Sequence, residues 1–148
     1  MATQPAFRDA YRQRRCLVPV SAFYEWQGEG KAKQPYAIGP TARSGSEDAL
    51  TLAGLWDRWK SPEGQWIETC AIVTGPPNAA MARLHDRMPV ILGEADWPLW
   101  LGERDGETRP LLRPCPDDWL KIWAVSTAVN SVRNKGAELL DPMSLDAR

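Results

Sequence analysis

Histidine is nearly missing from this chain: His85 is the single one among 148 residues. Cysteine is sparse too. Cys16, Cys70 and Cys115 are widely spaced and form no CxxC pair. One histidine and three scattered thiols make a poor zinc set, and an odd thiol count suits a reducing compartment. No apolar run approaches the roughly 18 residues of a membrane span. The opening "MATQPAFRDAYRQRR" lacks the apolar block of a secretory signal. The expectation is a cytoplasmic protein with no membrane contact, no metal and no cofactor. Phosphate-cradling loops are absent as well. There is no GxxxxGK[ST], no GxGxxG after a strand and no GxSxG, which argues against nucleotide hydrolysis and serine-elbow hydrolysis. Nor is there an excess of one charge. The net charge is -1, so any pull on nucleic acid must come from a local patch.

One such patch is present. Arg8, Arg12, Arg14 and Arg15 are opposed locally only by Asp9. It reads either as a nucleic-acid contact or as a solvated helix face. Eight tryptophans, at 26, 56, 59, 66, 97, 100, 119 and 123, are many for this length. Most suit a core, and exposed ones suit stacking on bases.

Patterning predicts an α+β fold: one domain over 5–142, with tails at 1–4 and 143–148. A mainly antiparallel, barrel-like sheet is flanked by short helices. Residues 5–13 read as an amphipathic helix begun at a proline. "CLVPVSAFYEWQ" (16–27) reads as one strand with Pro19 at an edge or bulge. It returns through "GEGKAK" and "QPYAIGP" as a hairpin over 16–39. Strands are expected at 49–60, 66–77, 88–92 and 119–126. An Asn-capped helix is expected over 78–85, and a helical segment begun or interrupted by Pro98 over 93–103.

Two residues stand out for chemistry. Alternation puts Phe23 and Glu25 on one face of their strand and Tyr24 and Trp26 on the other. Glu25 is then either a desolvated acid–base group with a raised pKa or an edge glutamate reaching water. His85, in "RLHDRMPVIL", is either a proton carrier or a cap on the preceding helix C-terminus. Asp86 should diverge from it, as chain neighbours do on a helix or strand. Arg87 can share its side in an extended chain and would suit a phosphate. A cysteine hydrolase using Cys16 or Cys70 with His85 has no supporting signature around either thiol.

Several segments occur here in order: "RRCLVPVSAFYEWQ", "KQPYAI", "AGLWDRW", "CAIVTGPPNAAMARLHDRMPVIL" and "AVSTAVNSVRNKGAELLDP". Together they resemble the SRAP family, the SOS-response-associated peptidase domain, from about Pro5 to about Pro142. The resemblance implies a DNA-damage role at abasic sites in single-stranded DNA. There the family's N-terminal cysteine, exposed on removal of the initiator Met, forms a thiazolidine cross-link through its thiol and α-amine. It implies catalytic roles for Glu25 and His85, with Arg87 on a backbone phosphate. Trp26 and Arg8 join Arg87 as DNA-contacting candidates.

Residue 2 here is Ala, and the family's Met-Cys-Gly-Arg start and upstream Asn-Ala-Arg motif have no counterpart. Roughly the first third of the family domain is unmatched. The expectation is a chain that keeps Glu25 and His85 without the nucleophile. It would be incomplete, naturally shortened, or completed by another chain, with a homodimer across an exposed sheet edge as one way to cover the loss. The alternative function is a non-catalytic module that binds single-stranded nucleic acid or a partner through its tryptophan-rich sheet and basic helix.

Overall fold

The computed structural model describes residues 5–28, 30 and 33–143. The expected tail at 1–4, that at 143–148 except Met143, and part of the 28–33 turn lie outside them. Helix α1 (Pro5–Gln13) begins at its proline, whose fixed φ suits a first turn. Ala10, Phe7 and Tyr11 turn inward from it.

The single strand expected over 16–27 is two. β1 (Arg15–Val20) and β2 (Phe23–Gln27) are parted by a bend at Ser21–Ala22. β2 pairs with β3 (Gln34–Pro40), whereas β1 pairs with β4 (Leu50–Lys60). The reason lies in the register. Val20 sits opposite Leu50, the first residue of β4. Past it β1 has no partner, so the chain turns and finds one in β3. The hairpin therefore spans 23–40. Pro19 occupies an edge strand, where its missing N–H costs no ladder bond.

β5 (Trp66–Ile72) completes one sheet in the order β1-β4-β5. β6 (Thr74–Gly75) pairs with β7 (Met88–Pro89). β8 (Leu120–Ala124) completes the sheet β2-β3-β8. All of these pairings are antiparallel, as the α+β reading requires, and the strands are shared among three sheets. Hydrogen bonds from Ala53 N–H to Val90 O (2.9 Å) and from Val90 N–H to Val73 O (2.8 Å) join the first sheet to the third.

Other boundaries also differ from expectation. The strand over 66–77 breaks at Val73, whose N–H bonds Ala53 O. "MPVIL" keeps only β7 and an isolated bridge from Ile91 to Leu52. The helix expected at 78–85 shrinks to a 3-10 turn, Met81–Arg83. Asn78 Oδ1 still accepts the Met81 N–H at 2.9 Å, as a cap would. Over 93–103, a 3-10 turn leads into α2 (Trp97–Leu101). Pro98 lies in its first turn and Gly102 ends it at φ 81°.

β4 is the spine. Leu50 and Leu52 face one apolar cluster with Ile38, Met81, Met88 and Ile91. Ala53 and Leu55 face another with Ala10, Val90, Leu92 and Trp100. Met88, Val90, Ile91 and Leu92 are likewise buried, split between the two clusters, which is why this stretch reads as an unbroken apolar run.

Candidate functional site

Pairing fixes which side chains share a face of the β2-β3-β8 sheet. Phe23 lies opposite Ile38 and Glu25 opposite Tyr36. Phe23 packs into the cluster of Ile38, Met81 and Met88. Glu25, two residues on, emerges half-buried on the same face. Above it, the segment from Met81 to Met88 is pinned at both ends by methionines without solvent exposure, with Leu84 packed on the same cluster. His85, Asp86 and Arg87 are thus held in a short loop between two buried anchors. Gln27 ties strand to loop: its Nε2 donates to Arg83 O at 3.0 Å, and its Oε1 accepts from Tyr36 OH at 3.2 Å. Between them lies a cavity of about 270 Å³, walled by Gln27, Tyr36, Ile122, Ala80, Arg83 and Leu84.

The electrostatics couple the two motifs. Burial pushes the Glu25 carboxyl above its ordinary value. A charge on His85 and the Trp26 backbone N–H pull it down, and Asp86 pushes it up. Such a carboxyl keeps its proton to higher pH than a surface glutamate does.

His85 does not cap its helical turn with its ring. Its backbone N–H bonds Met81 O at 3.0 Å, and the half-exposed imidazole turns to its own successors. Nδ1 lies 3.0 Å from the Arg87 N–H and 3.1 Å from Asp86 Oδ1. The expected divergence of Asp86 is corrected here: residue 86 is a bend, so neighbouring side chains converge. With Nδ1–H on Asp86, Nε2 is a base. With Nδ1 accepting from Arg87, Nε2 carries the proton.

The remaining candidates separate. The Arg87 guanidinium is drawn to Thr74: Nη2 donates to its carbonyl at 2.8 Å, and Nε and Nη2 donate to its hydroxyl at 3.0 and 2.7 Å. Trp26 lies on the opposite sheet face from Glu25. It packs against Tyr24 and donates from Nε1 to Asn130 Oδ1 at 2.6 Å. Arg8 is exposed on α1, whose apolar residues pack into the other cluster, and no described contact links it to Glu25 or His85. Asp86, Gln27, Tyr36 and Asn130 were missed. The signal for Tyr36 was its place opposite Glu25 in the predicted hairpin. Asn130 lies inside a quoted family segment.

No thiol is seen on His85 among the described contacts. Burial pushes the Cys16 thiol up, and Cys70 adds to the rise. Cys115 is pushed up to about 12, burial first. These shifts oppose nucleophilic activation, which needs a lowered value. Cys70 is exposed on β5, and loop-borne Cys115 is buried. Among the described residues, no three His, Cys, Asp or Glu are grouped to hold a metal ion, and no helix is long and apolar enough to cross a membrane.

The family model described as SOS response associated peptidase (SRAP) matches residues 1–132. The chain belongs to the SRAP family. Curated SRAP relatives include the abasic site processing protein YoqW of Bacillus subtilis, 35% identical over 145 residues, which are 95% of this chain and 63% of YoqW. Another is the abasic site processing protein HMCES of Gallus gallus, 36% identical over 151 residues, covering 89% of this chain and 44% of HMCES. This chain thus spans less than two thirds of the SRAP relatives it matches. Among solved structures, a Bacteroides thetaiotaomicron protein superposes with a TM-score of 0.84 at 25% identity, over 97% of this chain and 62% of that one. A Bordetella bronchiseptica protein gives 0.72 at 28% identity, over 84% and 61%. Both are consistent with one SRAP-like α+β domain.

Proposed function

We propose that the protein recognises abasic sites in single-stranded DNA in a DNA-damage role, with Glu25 and His85 as its acid–base pair. The observation that carries this reading is the electrostatic coupling of a half-buried Glu25 to His85. The adjoining cavity is walled by Tyr36, the partner of Glu25 across the sheet, and by Gln27, with neither Glu25 nor His85 in its wall. Relatives named for abasic site processing supply the substrate class.

The chemistry fits the pair. An abasic sugar is a cyclic hemiacetal, and opening it breaks C1′–O4′ while the C1′ hydroxyl becomes an aldehyde. Protonated Glu25 gives its proton to O4′. Nε2 of His85 takes the proton of the C1′ hydroxyl, with Nδ1–H held by Asp86. Arg87, oriented by Thr74, presents its guanidinium to a backbone phosphate. Trp26, on the opposite sheet face, and Arg8, on α1, lie outside this pocket and would meet only a strand that continues past it. A thiazolidine cross-link needs thiol and free α-amine on one residue, which the internal Cys16, Cys70 and Cys115 do not offer. Residues 1–148 alone are therefore expected to recognise and open the sugar without cross-linking it.

The test is the rate at which a hydroxylamine probe captures the aldehyde of an abasic oligonucleotide, with denaturing electrophoresis in parallel. The protein should accelerate capture, and Glu25→Gln or His85→Ala should each lower that acceleration about 10²-fold, with no covalent protein–DNA band. Equal binding of intact and abasic strands, unaffected by His85→Ala, would favour the rival non-catalytic module.

Two finer points belong to the same reading. A homodimer would form along the β5 edge, where Trp66 and Ile67 are 60% and 43% exposed and no proline or lysine guards the strand. A cytoplasmic setting suits three unpaired cysteines.

A further inference from the structure

A second concave site lies where the C-terminal ends of α1 and α2 meet. It has a volume of about 360 Å³, and Arg12, Arg15 and Arg104 line it with Gly102, Gly106 and Asp105. The site is built around Arg15. Its Nη1 donates to Tyr11 O at 2.7 Å and Arg12 O at 3.1 Å, its Nε donates to Trp100 O, and its plane lies 5.8 Å from the Trp100 ring centre. Carbonyls at two helix ends thus hold the guanidinium in place from two sides, through Nε and Nη1. Nη2 is left toward Gly102, where a Cβ would come within 3.2 Å of it. Gly102, at φ 81°, both ends α2 and keeps that donor uncovered.

The charge of this wall is net positive, three arginines against Asp105. The ion pairs among the described residues involve Arg14, Arg43, His85 and Arg113, and none involves Arg12, Arg15 or Arg104. Asp105 shares the wall without pairing with them. Arg8 adds a fourth cation one helical turn before Arg12, and Asp9 is the single acidic residue on α1 to set against the two. A fixed guanidinium with its Nη2 donor left over, flanked by two exposed guanidinium groups in a concave wall, suits a phosphate oxyanion held by charge-assisted hydrogen bonds from several arginines.

We infer that this cavity is a phosphate-binding subsite, separate from the Glu25–His85 pocket and independent of the function proposed for it. The phosphate comes either from a nucleic-acid strand or from a free small anion, and two arms separate these sources. In the first, amide NMR follows inorganic phosphate added to the full chain. Gly102, Gly106 and the Arg15 side-chain N–H should shift and saturate, with affinity at least about tenfold weaker in Arg12→Gln/Arg104→Gln. Both side chains are exposed, so the variant keeps the fold, and its unchanged remaining spectrum verifies this. In the second, binding of a short oligothymidine is measured against salt. For a strand phosphate, losing two contacts flattens the log–log slope by about 1.4, at roughly 0.7 per contact. Saturable phosphate shifts with an unchanged slope support the subsite and assign it to a free anion. No saturable shift at these residues in the wild-type chain overturns the inference, whatever the abasic-site assay shows.

Discussion

Two regions display aromatic rings beside charged groups, and they are built in opposite ways. The arm formed by the outer halves of β4 and β5 carries Trp59 and Trp66 at 57% and 60% exposure. Arg58 and Lys60 lie 4.9 and 5.9 Å from the Trp66 ring centre. Its charged partners are exposed to solvent. Around β2, the aromatic, Trp26, is hydrogen-bonded to Asn130 on one sheet face, and on the other face, toward the 81–88 loop, the Glu25 carboxyl is desolvated among fixed neighbours. The difference teaches that displayed aromatics do not make a reactive site. Glu25 becomes an acid–base candidate because Phe23, Met81, Leu84 and Met88 fix the walls around it.

The contrast breaks most readily at the anchor. Met88→Ala removes a fully buried side chain and should cost about 2–5 kcal/mol in chemical denaturation, loosening the His85 loop. A loss under about 0.5 kcal/mol would mean the loop is not held by that core. Trp26→Phe removes the Nε1 bond to Asn130 and should cost about 1 kcal/mol, measured the same way.

Acidity sharpens the comparison. Because burial raises the folded value of Glu25 above its ordinary 4.5, the native state binds more protons than the unfolded chain just above that pH. Stability attributable to this group therefore falls as pH rises from about 4.5 through the raised folded value, and then levels. Glu25→Gln should be more stable than wild type above that window and equal to it below. A wild-type advantage at neutral pH would contradict the desolvation. The smallest effects belong to the arm. Trp59→Ala and Trp66→Ala should each change stability by no more than about 0.5 kcal/mol, and a larger loss would show the arm to be packed.

Part of the pocket's frame was legible in the sequence. Alternation put Phe23 and Glu25 on one face, and the apolar run after Arg87 announced a buried segment, of which only Met88–Pro89 is strand. The family segments paired Glu25 with His85 before any coordinates. What stayed illegible depended on partners distant in sequence. Nothing local in 16–27 shows that β4 begins opposite Val20 and forces the bend at Ser21–Ala22. The bend at Asp86, which brings its carboxylate to His85, follows from Met81 and Met88 being drawn into one core. The hold of Thr74 on Arg87 needed the β6–β7 pairing, which no short-range pattern specifies.

The most direct measurement is an NMR pH titration of the Glu25 carboxyl carbon in the wild-type chain and in His85→Gln. The expected midpoint lies above that of an ordinary glutamate and rises further when the imidazole, which favours the carboxylate, is removed. A midpoint at the ordinary value, unmoved by His85→Gln, would show that the two side chains do not share a pocket.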